Sequence, residues 1–138
     1  MITTAEVDVT YSAGEQYVVR IGRHVVPTDQ PVEDGGGDRA PGPVDLLVGS
    51  MAACTAFYAG RFLDRHGLPR AGLGVTARYR MAADPHRRVA EVRLDVRVPA
   101  GLSAHDRTAL VAVLQHCTVH NTLRQGPEIV IDLDEVES

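Results

Sequence analysis

Two cysteines, Cys54 and Cys117, are the residues of this chain whose type is best suited to chemistry. Each lies in an apolar stretch rich in small residues, and neither has the spacing of a disulfide framework. A lone buried cysteine usually acts as a small hydrophobic residue. A thiolate can also attack an O–O bond to give a sulfenic acid, which a second thiol converts to a disulfide. Two interpretations are therefore open, a redox pair or two inert core residues.

Activation of Cys54 would require a nearby positive charge. The residue lies in the middle of a predicted helix, too far from its N-terminus to gain from the helix dipole. Arg39, in the loop just before that helix, is the nearest arginine in sequence. Arg20 and Arg23, on or after the second predicted strand, are alternatives, including from a second subunit.

The histidines near Cys117 allow other interpretations. His120 lies three residues after Cys117, where it could hydrogen-bond a thiol or cap a helix end. His116 and His120 could also join the two cysteines in a zinc site, but the spacing matches no established zinc pattern. We therefore expect no metal and no cofactor.

Length and charge exclude several classes of protein. A chain of 138 residues predicts a single domain over 1–138. A net charge of −4 gives no reason to expect a nucleic-acid partner. No window approaches the ~18 apolar residues of a membrane span, so no membrane is expected as a partner. The start from Met1 lacks the basic and apolar regions of a signal peptide, which predicts a cytoplasmic location.

The patterning predicts an α+β order of elements around the cysteines. The first half reads as three strands, a glycine-rich loop and a long helix: 5–11, 16–21, 24–27, loop 28–42, and Pro43 to about His66. The second half reads as two strands, two helices and a last strand: 73–83, 87–98, 104–117 capped by Ser103, 119–124 and 128–133. Two small antiparallel sheets are therefore expected.

The predicted helix 43–62 is apolar on nearly every face. Such a helix must be covered on all sides, and one three-stranded sheet does not provide that cover. A homodimer that shares its helices would supply the rest.

Three segments resemble the OsmC/Ohr family of bacterial thiol proteins. They are Asp34–Gly–Gly–Gly, Pro43–Val–Asp–Leu–Leu–Val–Gly–Ser–Met–Ala–Ala–Cys54–Thr–Ala, and Cys117–Thr–Val–His120–Asn–Thr–Leu123. The resemblance covers most of the chain. It implies two small antiparallel sheets around long central helices, in an intertwined homodimer with active sites at the subunit interface.

The same resemblance implies an activity. Peroxidases of this family are similar to peroxiredoxins in chemistry, and they reduce organic hydroperoxides in the oxidative stress response. A dithiol such as a lipoyl group recycles them. On this basis Cys54 is expected to be the peroxidatic cysteine and Cys117 the resolving one. Arg39 is expected to hold the thiolate, with Arg20, Asp45 and His120 as supporting residues.

One position departs from the peroxidase pattern. In the peroxidase branches a glutamate directly follows the helix-starting proline and pairs with the arginine, whereas Val44 follows Pro43 here. Asp45 is one residue later, and at about 100° per residue it lies on the opposite helix face from Cys54. We therefore expect Asp45 to serve the helix N-terminus instead.

The ending of the third segment bears on the branch. His120–Asn–Thr–Leu123 looks more like the OsmC-like branch than the proven organic-hydroperoxide-resistance branch. An alternative function is therefore a non-catalytic OsmC-like protein that binds a small apolar or thiol-bearing ligand at the dimer interface. The valine at position 44 is the feature that separates the two hypotheses.

Overall fold

The computed structural model describes residues 5–136 and has the predicted α+β order. The strands are β1 (Asp8–Ala13), β2 (Gln16–Ile21), β3 (His24–Thr28), β4 (Gly74–Ala82) and β5 (Arg88–Arg97). The helices are α1 (Pro43–Arg65), α2 (Ala104–Leu114) and α3 (Thr118–Arg124), with a 3₁₀ turn at Val32–Asp34. Residues Met1–Thr4, on which part of the signal-peptide prediction rests, lie outside the described residues.

Two small antiparallel sheets form, as predicted. The first has the order β1-β2-β3, with Val19 of β2 opposite Val9 on one side and Val26 on the other. Gly14 and Gly22 have φ of 55° and 60°, which lets the chain reverse within two residues at both hairpins. The second sheet pairs β4 with β5.

Helix α1 begins at Pro43, as predicted, and ends one residue earlier than expected, at Arg65. It contains an 18-residue window of mean hydropathy 1.4, so by length and composition it is apolar enough to cross a membrane. The expectation that no window approaches a membrane span was therefore wrong on this measure. The core helix of a soluble protein passes the same test. Within one chain only 33% of that window is buried, so much of the helix has no cover there.

Helix α2 starts as predicted but ends early. The Ser103 hydroxyl accepts a hydrogen bond from the Asp106 amide at 3.0 Å, which caps the helix. The helix ends at Leu114 rather than at residue 117, and Gln115 and His116 form a turn. Cys117 is extended, with φ −67° and ψ 155°, and is the N-cap residue of α3. The second cysteine is therefore at the start of a helix, not at the end of one.

The predicted last strand at 128–133 is wrong: residues 125–136 are in no helix or strand. Ile129, Ile131 and Leu133 are 78%, 88% and 90% exposed. The alternating pattern is that of a strand, but a strand exists only where a second strand accepts its hydrogen bonds. No partner strand for this segment occurs among residues 5–136.

The chain divides into two compact units, which are described separately. The loop unit comprises the chain up to Ser50 and Ala77–Arg93; the cysteine unit comprises Met51–Thr76 and the chain from Leu94 onward. The core of the cysteine unit consists of Ala59, Phe62 and Leu110. Partly buried apolar residues pack on that core: Leu73, Val96, Val98, Leu102, Ala109 and Leu114. A single domain over 1–138 stays a prediction.

Candidate thiol site

Both cysteines belong to the cysteine unit, and both are free thiols. Cys54 is on α1 and is partly exposed. Cys117 is 1% exposed. Within one chain, Cys54 is therefore the more accessible of the two thiols.

A hydrogen bond connects the surroundings of the two cysteines. The Tyr58 hydroxyl lies 2.8 Å from Oγ1 of Thr118, the residue that follows Cys117. Tyr58 is four residues after Cys54, and residues four apart lie on the same helix face with Cβ atoms roughly 5–6 Å apart. The face of α1 that carries Cys54 is therefore the face on which the Cys117 turn is held.

A cavity of about 380 Å³ provides a second connection. Thr55, the neighbour of Cys54 in sequence, and His120, one helical turn after Cys117, both line it. The other lining residues are mostly apolar: Leu94, Val96, Val98, Leu102, Arg107, Leu110, Val111, Leu114 and Gln115. His120 thus faces the same cavity as the α1 segment beside Cys54.

The aromatic residues of α1 line a smaller cavity of about 260 Å³. Phe57, Tyr58 and Phe62 all contribute to it, together with Arg61 and Arg65. Phe62 also belongs to the core, whereas Phe57 is 51% exposed. Of these aromatic residues, Phe62 therefore belongs to both core and cavity, whereas Phe57 lines the cavity and is exposed.

In the loop unit, Arg39 lies in a loop that is organised by Asp29. The Asp29 carboxylate is buried and accepts hydrogen bonds from three backbone amides, those of Gln30 (2.7 Å), Gly37 (3.3 Å) and Arg39 (3.1 Å). These bonds, led by that of Arg39, lower the pKa of Asp29, and the Arg39 charge lowers it further. Asp29 was not among the residues predicted from the sequence. The signal was an aspartate that directly follows a strand and precedes a Pro- and Gly-rich loop.

Two of the three consecutive glycines have distinct structural roles. Gly35 has φ of 91°, a conformation that other residues rarely adopt. A Cβ on Gly36 would collide with the Gln30 carbonyl oxygen. The absence of a side chain at Gly36 therefore lets the backbone of the loop approach the Gln30 carbonyl closely.

The other predicted arginines are on the first sheet. Nη1 of Arg20 donates a hydrogen bond to Oγ1 of Thr10 on the neighbouring strand at 2.9 Å. Arg23 is at the exposed β2–β3 turn. Arg20, Arg23 and Arg39 are all in the loop unit.

Asp45 lies in the first turn of α1, as predicted, and has a partner that the sequence did not indicate. The Tyr79 hydroxyl donates a hydrogen bond to Oδ1 of Asp45 at 2.5 Å. This bond raises the pKa of Tyr79, because removing the phenol proton would place two negative charges together. Val44, the residue after Pro43, lines a cavity of about 150 Å³ together with Asp45 and Tyr79. An apolar side chain therefore contacts this cavity at the position where the family resemblance implies a glutamate in peroxidases.

The zinc alternative gains no geometric support. Among residues 5–136, no group of three or more His, Cys, Asp or Glu side chains could hold a metal ion.

The Asp29 bonds lead to a prediction about the Arg39 loop. Asp29→Asn places an amide nitrogen among backbone amides, so we expect the loop to open and trypsin to cleave after Arg39 several-fold faster.

Because the folded pKa of Asp29 is lowered from 3.8, its stabilisation is present above pH 3.8 and is lost as the pH falls through the folded pKa. As the pH falls through the folded pKa of Asp29, the free energy of unfolding should therefore decrease less in the variant than in wild type. Glu33→Gln, an exposed charge removal in the same loop, is the control, and equal cleavage of both variants would contradict this role.

No curated protein matches the chain in sequence. A structure from Psychrobacter arcticus 273-4, of a protein named for osmotic stress induction and a detoxification response, is 26% identical with a TM-score of 0.79 and covers 88% of this chain and 90% of that one.

Two structures under 25% identical show the same fold. One, from Vibrio cholerae, is named for organic hydroperoxide resistance and holds captopril in one of its active sites; it is 24% identical with a TM-score of 0.68, covering 91% and 89% of the two chains. The other is an organic hydroperoxide resistance protein from Elizabethkingia anophelis, 20% identical with a TM-score of 0.68, covering 91% and 93%.

A family model for OsmC-like proteins matches residues 35–132. This span contains the glycine loop, α1 with Cys54, and the Cys117 turn with α3. The chain belongs to the OsmC-like protein family.

Proposed function

We propose that this protein is a cysteine-dependent peroxidase that reduces organic hydroperoxides, with Cys54 as the peroxidatic and Cys117 as the resolving cysteine. The observation that carries the proposal is the Tyr58–Thr118 hydrogen bond, which ties the turn of the buried thiol to the helix face of the accessible one. Membership of the OsmC-like family and fold relatives named for organic hydroperoxide resistance support it.

The proposed reaction has two steps before recycling. The Cys54 thiolate attacks the distal oxygen of the hydroperoxide, the O–O bond breaks, and the alkoxide takes a proton and leaves as an alcohol. The Cys117 thiol then attacks the sulfenic sulfur, which forms a disulfide and releases water. A dithiol such as a lipoyl group reduces that disulfide by exchange and is itself oxidised. This reductant suits the cytoplasmic location that we also propose.

Arg39 is the arginine that we propose to stabilise the Cys54 thiolate. Its loop is held in place by the Asp29 carboxylate, so its backbone position is well defined. Arg20, the alternative, already donates to Thr10. Val44 is at the position after Pro43 where the family resemblance implies a glutamate partner for this arginine.

We further propose that the working form is a homodimer. Several apolar side chains of α1 are exposed within one chain, among them Val44 at 37%, Leu47 at 42% and Phe57 at 51%. The apolar segment 128–133 is exposed as well, and it has no strand partner among the described residues. A second copy would cover both kinds of surface. Permanent interfaces of this type bury on the order of 2,000 Å² or more.

The second candidate function is binding without catalysis. Val44 favours it, because no carboxylate follows Pro43 to orient an arginine. The 380 Å³ apolar cavity beside Thr55 and His120 could hold a small apolar ligand. The captopril in the Vibrio cholerae relative is a thiol compound, which suits a thiol-bearing ligand.

One titration distinguishes the two functions. The reduced protein is mixed with one equivalent of cumene hydroperoxide, and free thiols, peptide masses and remaining peroxide are measured with time. A peroxidase should consume one equivalent far faster than free cysteine does and yield an intramolecular Cys54–Cys117 disulfide. A rate equal to that of free cysteine, with both thiols remaining, would favour the binding protein.

A further inference from the structure

We propose that Tyr58 is a positioning residue: its hydroxyl, bonded to Thr118, holds the Cys117 turn against α1 and sets how readily Cys54 and Cys117 form a disulfide. This inference rests on the proposed function and concerns its second step. All four residues lie in the cysteine unit.

The helix geometry places the tyrosine hydroxyl near Cys54. Long side chains on an α-helix point back toward its N-terminus, so each covers the turn that precedes its own Cα. The turn that precedes Tyr58 on its own face is the one that carries Cys54. A Tyr58 hydroxyl at 2.8 Å from Thr118 Oγ1 therefore brings the residue after Cys117 to the turn of Cys54.

The turn that Tyr58 holds is itself well defined. The Asn121 side-chain amide donates to the His116 carbonyl at 3.1 Å, and the Asn121 backbone amide donates to the Cys117 carbonyl at 2.9 Å. The Thr122 hydroxyl donates to the Thr118 carbonyl at 2.8 Å. Cys117 and Thr118 thus move with the first turn of α3, and a bond to Thr118 also restrains the position of the Cys117 sulfur.

The restraint matters because two reactions compete for the Cys54 sulfenic acid. Capture by Cys117 gives a reversible disulfide, whereas a second hydroperoxide gives an irreversible sulfinic acid. Capture depends on the effective concentration of the Cys117 thiol at the Cys54 sulfur. Loss of one hydrogen bond corresponds to a decrease of roughly two- to tenfold in the population of the conformation in which the Cys117 turn is held against α1.

The test measures the disulfide itself, without hydroperoxide. Wild-type protein and variants are equilibrated with mixtures of reduced and oxidised dithiothreitol, and the Cys54–Cys117 disulfide is quantified by peptide mass. Tyr58→Phe should lower the equilibrium constant for disulfide formation about fivefold. Thr118→Val should lower this equilibrium constant by the same factor, and the double variant should have a constant no lower than either single variant. Thr118→Ser, which keeps a hydroxyl, should restore the wild-type constant. Tyr11→Phe, the same change on β1, is the control.

A second arm follows the sulfenic acid. After a pulse of cumene hydroperoxide, Tyr58→Phe should accumulate more Cys54 sulfinic acid relative to disulfide than wild type, about fivefold. Equal equilibrium constants for wild type and Tyr58→Phe, failure of Thr118→Ser to restore the constant, or no Cys54–Cys117 disulfide in dithiothreitol would each overturn the inference. If the disulfide equilibrium constants differ as expected but the wild-type protein does not react with hydroperoxide, the proposed function would be overturned and the positioning role of Tyr58 would stand.

Discussion

Cys54→Ser should consume no hydroperoxide above the buffer rate, a loss of at least about a thousandfold, while Cys117→Ser, given one equivalent, should consume it as fast as wild type does. A serine hydroxyl is not ionised at neutral pH and does not attack an O–O bond, whereas Cys54 keeps its thiol when Cys117 is replaced. The stalled Cys117→Ser protein should carry a Cys54 sulfenic acid that dimedone traps and mass spectrometry locates.

The asymmetry between the two variants identifies attacker and resolver. Because Cys117 is buried, circular dichroism must first show that its serine variant remains folded. Equal loss of peroxide consumption in both variants would mean that the assignment of roles is wrong. A dimedone adduct on Cys117 in Cys54→Ser would reverse the roles.

Leu47→Asp should convert a dimer to a monomer, or weaken the dimer at least about a hundredfold. Leu47 is 42% exposed on α1 within one chain, and we propose that a second copy covers it. Burying an unpaired carboxylate at an apolar interface costs several kcal/mol, more than the about 2.8 kcal/mol that a hundredfold change requires. Sedimentation equilibrium over a range of concentrations measures the change directly.

Val32→Asp is the matched control for this variant. Val32 is 68% exposed in the 3₁₀ turn and lies outside α1, the surface that we propose the second copy covers. It should leave the association constant within about twofold of wild type. A wild-type protein that is a compact monomer at micromolar concentration would contradict the proposed dimer.

Local chemistry explains why most elements could be predicted from the sequence. Pro43 marks the first turn of α1, and Ser103 with Asp106 marks that of α2, because capping depends on neighbouring residues. A β-rich composition likewise marked β2 at its observed bounds, Gln16–Ile21. The three family segments allowed the family to be recognised, since spacing along the chain is a property of sequence.

The errors arose where long-range contacts decide the outcome. The segment 128–133 has the pattern of a strand, yet pairing requires a second strand that no local pattern supplies. The end of α2 was placed at Cys117 because its apolar run continues, while the chain instead turns at Gln115 and begins α3. Continued apolarity describes burial, and burial does not require a continuing helix.

The sequence by itself determined which residues can do chemistry, namely two thiols in small-residue segments and an arginine in a glycine loop. It also determined that a valine, and not a carboxylate, follows the helix proline. Only the tertiary structure decided their surroundings. It placed Thr118 against Tyr58, Asp29 under the Arg39 loop and Tyr79 on Asp45, each pair more than nine residues apart in sequence. Hydrogen bonds between distant residues depend on how helices and strands pack, and residue type or spacing carries no record of that packing.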